Sequence, residues 1–276
     1  MAKQPSKSTP KPKSTTSSQI VDVVALERRE VVVALIGETP MIFNRMAEKV
    51  KQGLLLPAGR LTAADKLARL KHDPLAEFRS SPYRLTSDKE ATLLGIPAGA
   101  FKKAIAQAAV DIPGAARTQI GRLTRVLVSN ENNLVPIYGL PYIKMDVTKQ
   151  ADINRTPDVR TRAAIKQWAA ILRISFVHPN LNQKTIVNLL NAAGLIVGVG
   201  DWRQEKGSGD FGSWHVTDAD DPKLREIMRI GARAAQIEAM ATPMYFDTET
   251  QDLIEWYEAE LERRRGKEQS ESKSAA

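Results

Sequence analysis

The chain has 276 residues, a formal net charge of +8, no cysteine and an apolar fraction of 42%. That length and composition fit a folded protein of one large or two small domains with a real core. The lack of cysteine excludes disulfides, thiolate catalysis and cysteine-based zinc sites, while a pI of about 9.6 favours a polyanionic partner.

Residues 1–19 are Lys, Ser, Thr, Pro and Gln with almost nothing apolar, which predicts a disordered basic tail. Its lysines, Lys3, Lys7, Lys11 and Lys13, serve either solubility or weak phosphate attraction. The tail lacks the apolar stretch of a secretory signal, and no apolar run approaches the roughly 18 residues of a membrane span. The expected setting is therefore a cytoplasm, with no membrane partner. A core is expected over 20–247, with an insertion at 38–90.

Glu30 to Ile36 is a β-branched run closed by Gly37 and reads as a buried strand. Within 38–90, Ala63 to Leu70 reads as a short helix entered through Thr62, and Lys71 to Tyr83 as loop. Ala98 to Ala109 is a helix with Phe101, Ile105 and Ala108 on one face and Lys102 and Lys103 elsewhere. Strands are expected at 125–128, 134–138, 142–147 and 171–177. Asn182 is an N-cap for a helix to Ala193, with Gly194 just past its end, and a further strand is expected at 213–216. Thr248 and Gln251 form a capping box for a C-terminal helix over 248–265, with Leu253, Trp256, Tyr257 and Leu261 on one face and Gly266 closing it. Residues 266–276 read as a second disordered tail. The order β-α-β-β-α-β predicts an α+β, ferredoxin-like antiparallel sheet with helices on one face.

Between residues 100 and 173 the chain holds twelve Lys/Arg against five Asp/Glu, so the middle carries most of the positive excess. Gly194 to Val216 holds six glycines with Trp202, Arg203, Lys206 and Trp214 among them. Gly198, Gly200, Gly207 and Gly209 would let a ligand approach the backbone, Arg203 and Lys206 would meet phosphates, and Trp202 would stack on a base. The same string also fits a long hairpin whose glycines make turns and whose tryptophans pack inward. Asn154 to Trp168 is the second candidate site. On a strand Arg160 and Arg162 share a face, and Arg155, Lys166 and Trp168 add charge and a stacking platform, although a solvated hairpin explains the segment as well.

Gly207-x-Gly209-x-x-Gly212 matches the dinucleotide fingerprint as a string, but a strand is expected after it where a nucleotide site needs a helix. No Walker A motif and no metal-type histidine spacing is present, so no cofactor or metal is expected. His215 and His178 are the residues a nuclease would use as general acid or base.

Ile96-Pro-Ala-Gly-Ala-Phe-Lys-Lys-Ala-Ile105 resembles the first-helix opening of the RAMP superfamily, the RNA-binding subunits of CRISPR effector complexes. Gly198-Val-Gly200 with Gly209-Asp-Phe-Gly-Ser-Trp214 is similar to that superfamily's Gly-rich loop, with Ser213 where an arginine is usual. Through Asn154-Arg-Thr-Pro-Asp-Val-Arg160 and Gly198 to Gly207, the whole chain also resembles a group of tailed-phage and prophage proteins. The RAMP resemblance implies subunits arrayed along single-stranded nucleic acid. The lysines of the first helix and the Gly-rich loop would lie near its backbone, and 154–168 would be a projecting hairpin. The leading expectation is a non-enzymatic single-strand binder. In a self-assembling chain the C-terminal helix would be the contact between subunits. The alternatives are a phage assembly protein with an acidic protein partner, and a nuclease.

Overall fold

The computed structural model describes residues 24–46, 51, 55, 72–149, 157–206 and 209–274. The chain begins with β1 (Glu27–Gly37), β2 (Met41–Ile42), α1 (Pro74–Ser80), β3 (Tyr83–Arg84), β4 (Leu94–Pro97) and α2 (Ala98–Ala108). It continues through α3 (Arg117–Leu123), β5 (Thr124–Leu127), β6 (Leu134–Tyr138), β7 (Pro141–Lys149), β8 (Pro157–Ile165) and β9 (Ala169–His178). Last come α4 (Gln183–Ile196), β10 (Trp214–Thr217), α5 (Pro222–Ile230), α6 (Arg233–Ala241), β11 (Met244–Tyr245) and α7 (Thr248–Ser274). The fold is α+β, built on two mainly antiparallel sheets.

In the larger sheet β1 lies between β9 and β10, antiparallel to both. The free edge of β9 is shared. Residues 173–176 pair with β5, and 169–170 pair with β6, which leads on to β4 and β3. The strand period of two places Val31, Val33 and Leu35 on one face of β1, where α2 and α4 cover them. Phe101, Ile105, Ile186 and Leu190 of those helices join Leu172 and Ile174 of β9 in the main core.

The opposite face is covered as well, which corrects the expectation of helices on one side only. Ala34, Ile36 and Ala169 form a second small cluster with Leu224 and Ile227 of α5. Both parities of β1 are apolar at its C-terminal end, so each face there needs a cover. Toward the N-terminus of β1 the second face is polar, with Arg28 and Glu30, and Val32 stays exposed.

The smaller sheet runs β11–β7–β8–β2, with β7 and β8 paired over nine residues and only β11 parallel to its neighbour. The 38–90 segment supplies parts of both sheets. β2 pairs with β8, and β3 with β4. Met41, Ile42 and Phe43 are completely buried, so this stretch is core and not an appended loop. Lys71 to Tyr83, read as loop, contains α1. Asp73 caps it by accepting from Ala76 N (3.0 Å), and Pro74 takes a first-turn position where a missing N–H does no harm. Two short turns between prolines leave too little periodicity to read. The expected helix at 63–70 and the tail at 1–19 lie outside the described residues.

Asn182 caps α4 as expected, accepting from Thr185 N (2.8 Å), but the helix passes Gly194 and ends at Ile196. Gly194 serves packing instead, because a side chain there would run into Trp214. The left-handed turn falls at Gly198 (φ +75°). α5 and α6 were not anticipated. Gln236 of α6 is fully buried and clamps two strands, accepting from Leu93 N and Leu94 N while donating to the carbonyls of Ile137 and Gly139.

The cap of α7 is Asp247, which accepts from Thr250 N (2.8 Å), so Thr248 is not the capping residue. Its inward face is Thr250, Ile254 and Tyr257, while Trp256 is 65% exposed. The helix continues through Gly266 to Ser274. A glycine within a helix costs only about 1 kcal/mol relative to alanine, and the Lys, Glu and Gln after it are good helix formers.

Candidate nucleic-acid interface

The two segments singled out in the sequence meet in space. β8 and β7 form the hairpin, and the Gly-rich segment docks against it and against β2. Asp201 N donates to Ile42 O (2.9 Å), Gly212 N to Pro40 O (2.8 Å), Val199 N to Gly212 O (2.9 Å) and Phe211 N to Trp202 O (3.1 Å). The segment thus closes on itself and on 38–43. Gly200 lies so close to this stretch that a Cβ would come within 2.5 Å of Ile42 O. At Gly209 it would collide with Trp202 O, and at Gly212 (φ +75°) with Val199 O. The glycines are explained by this internal fit, and four of the N–H groups that might have faced a phosphate are already bonded to the protein. Gly207 and Arg155 lie outside the described residues.

At the junction of loop and hairpin is a charged network. The Asp146 carboxylate takes Lys144 Nζ at 2.6 Å and Arg162 Nη2 at 3.2 Å, and all three side chains are about nine-tenths buried. Arg162 also pairs with Asp201 of the loop, and Lys144 with Asp247 at 3.5 Å. Aromatic rings surround the cations. The Arg162 guanidinium lies over Trp202, Lys144 over Phe211 and Phe246, and Trp202 stacks on Phe211 with ring centroids 6.1 Å apart. Arg162 therefore ties the loop to the sheet, with its charge met by two carboxylates. Sequence reasoning placed it correctly on a face with Arg160, but the neutralising carboxylates come from residues 146 and 201.

Trp168 is completely buried. Its Nε1 donates to Thr39 O (2.9 Å) and its ring lies edge-on to Trp214 at 6.3 Å, so it offers no stacking platform. Trp214 is likewise core, packed on Phe101 and bonded to Leu190 O (3.1 Å). Trp202 is half-buried with positive φ (+53°). Arg203 is held within the loop by Glu205 (2.8 Å). Lys206 ends a short 3-10 turn, Gln204–Lys206. Lys166 is exposed beside Tyr142 and Phe246, 4.6 and 5.1 Å from their ring centres. Arg160 is exposed, and among the described residues no carboxylate pairs with it.

The expected helix lysines occupy a different place. Lys102 and Lys103 of α2 face Arg117 of α3 across an open depression of about 490 Å³ floored by Gly99, Ala106 and Gly121. Among the described residues none of these three cations has a carboxylate partner. A Cβ on Gly99 would meet nothing within 4 Å, so internal packing does not require glycine there and its bare backbone keeps the floor open. Arg117 was not singled out in the sequence, because only the folding of α3 back onto α2 brings it to the lysines. None of the Gly-rich loop lines this groove.

The histidines are dispersed. His215 Nδ1 is 3.1 Å from Glu38 Oε1 at the surface, and His178 Nδ1 is buried with no hydrogen-bond partner among the described residues. Among the described residues no cluster of three or more His, Asp or Glu could hold a metal, and no helix is long and apolar enough to cross a membrane. No protein-family model and no curated protein matches this chain.

Proposed function

We propose that the protein binds single-stranded nucleic acid through the sugar–phosphate backbone, on a ferredoxin-like core of the RAMP kind and in a phage or CRISPR-like setting. The observation that carries this reading is the α2–α3 groove. It presents three cations that have no carboxylate partner among the described residues, beside Gly99, whose open side the protein's own packing leaves unused. A phosphate needs both features, positive charge and close access to it. The strand order β10–β1–β9–β5, with α2 and α4 as the crossovers, supports the ferredoxin-like part of the proposal. Exposed Arg160 on the β7–β8 hairpin and the half-buried Trp202 of the Gly-rich segment docked against it supply further contacts, and copies arrayed along one strand would meet through α7.

Fluorescence anisotropy with labelled single-stranded DNA, single-stranded RNA and duplex DNA across a salt series tests the reading. Binding should be tight at low salt, weakly dependent on sequence and lost steeply as salt rises. Lys103→Glu with Arg117→Glu should abolish it without unfolding the protein. If none of the three polymers binds at low salt, the reading fails and an acidic protein partner becomes the better explanation of the groove.

A further inference from the structure

β9 pairs with β1 from Glu27 to Ile36, whereas β10 reaches only Ala34 to Gly37. Among the described residues no strand covers the other edge of β1 from Glu27 to Val33. Gly37 N donates to Trp168 O (2.8 Å) on the β9 side, and Glu38 N to Ser213 O (3.0 Å) on the β10 side. Backbone groups alternate sides along an antiparallel strand, so the N–H and C=O groups of Arg28, Glu30 and Val32 turn to the open edge. The side chains of these residues stand on the face that α5 covers only farther along, at Ala34 and Ile36. Val32 is 65% exposed, and Leu26, just before the strand, 66%. An edge of this kind is a template for another strand, which proteins commonly guard with proline, a bulge or charge. Here the charges, Glu27, Arg28, Arg29 and Glu30, are of both signs and balance.

We propose that the open edge of β1 pairs antiparallel with the same edge of a second copy of this chain, about a two-fold axis at Arg29, making a dimer with one continuous sheet. The register follows from matching the side chains. Residues opposed across two strands share a face, so the axis falls on a residue and not between two. With the axis at Arg29, Arg28 opposes Glu30 of the second copy and Leu26 opposes its Val32, and symmetry repeats both pairs. The exposed face then carries ion pairs flanked by apolar pairs, each of a kind that stabilises a sheet. An axis at Glu30 would set that carboxylate against itself and Arg28 against Val32. An axis at Arg28 would set that guanidinium against itself and Leu26 against Glu30. Among the described residues Arg28 has no ion pair, while Glu30 takes Arg173 Nε at 2.7 Å and would be shared between two arginines. On the other face Arg29 meets its own copy, each held by its own Glu27 at 3.4 Å. Such a contact uses the same surface on both chains and closes at two copies. It depends neither on the nucleic-acid reading nor on α7.

The chain has no cysteine, so single cysteines in the full chain report the register. Opposed residues that exchange no hydrogen bonds stand about 4.5 Å apart at Cα, within the span of a disulfide. Arg29→Cys places a cysteine at that distance from its own copy. Arg28→Cys and Glu30→Cys face their copies only diagonally, about 7–8 Å away, which is too far for the bond. Sedimentation velocity should show wild type passing from monomer to dimer as its concentration rises into the high micromolar range. Under mild oxidation Arg29→Cys should crosslink to itself at least about tenfold faster than either of the other two. Arg28→Glu opposes like charges at both symmetric positions and should weaken the dimer about tenfold, with its circular dichroism unchanged. A wild type that stays monomeric at every concentration overturns the proposal. So does a dimer that Arg28→Glu leaves unchanged, or one in which Arg29→Cys crosslinks no faster than its neighbours.

Discussion

Arg162 separates two accounts of the basic hairpin, because a phosphate contact and an internal strut respond differently to the same substitution. Arg162→Met removes the charge while keeping most of the side chain's volume against Trp202. In the structure it breaks two ion pairs, one to the buried Asp146 and one to Asp201, whose side chain is 37% exposed. Removing one partner of a buried pair typically costs about 3–5 kcal/mol, mostly from the charge left uncompensated. Here Asp146 keeps Lys144 at 2.6 Å, and Asp201 can turn to water, so the loss belongs at or below the low end, about 2–3 kcal/mol. With a urea dependence of about 2–3 kcal/mol per molar, the unfolding midpoint should fall by roughly 1 M. Single-strand affinity, measured where the variant is still folded, should change less than twofold. Tenfold weaker binding with stability altered by less than about 0.5 kcal/mol would show that Arg162 faces the strand, and would refute the strut.

Gly99→Ala should stabilise the fold by up to about 1 kcal/mol, since it adds a better helix former in open space, yet weaken strand binding by filling the groove floor. Stabilisation with unchanged affinity would remove the floor from the argument. Trp168→Ala should cost about 3–5 kcal/mol in chemical denaturation, as for other buried aromatics, and leave no special defect in binding. Gly212→Ala should prevent the loop from docking on 38–43, visible as rapid amide exchange at Asp201, whose N–H bonds Ile42 O across that junction, and at Val199, whose N–H bonds Gly212 O within the loop. The Arg263 and Arg264 guanidiniums hold the Glu260 carboxyl down to about 2, below its ordinary 4.5. A carboxylate lowered in the folded state contributes fully above its unfolded value and loses that contribution as pH falls through the folded one. Helicity of α7, followed by circular dichroism, should therefore decline between pH 4.5 and about 2 in wild type, and Glu260→Gln should blunt that decline.

What could be read from the sequence was whatever depends on local period and local chemistry. The runs at 30–36 and 171–177 became β1 and β9, the Phe101–Ile105 face became core, and Asn182 capped its helix. What could not be read depends on who sits opposite. An arginine two residues from another looks the same whether solvent or a carboxylate awaits it, and Arg162 found Asp146 and Asp201, 16 and 39 residues away. Trp168 looked like a platform because charged neighbours flank it, while the groups that bury it, Gly37 and Thr39, come from the other end of the chain. The same limit hid Arg117 beside Lys102 and Lys103. The Gly-rich segment shows the physical reason most directly. Glycine permits close approach, but the sequence does not say whether the approaching backbone is a ligand's or the protein's own. Here Ile42 O, Trp202 O and Val199 O occupy the space above Gly200, Gly209 and Gly212, whereas Gly99 faces none of the protein's atoms. Of the glycines placed by the structure in a candidate site, Gly99 and Gly121 are those where a side chain would meet open space or no more than an ordinary contact, so the α2–α3 groove, and not the Gly-rich loop, keeps backbone that a ligand could approach.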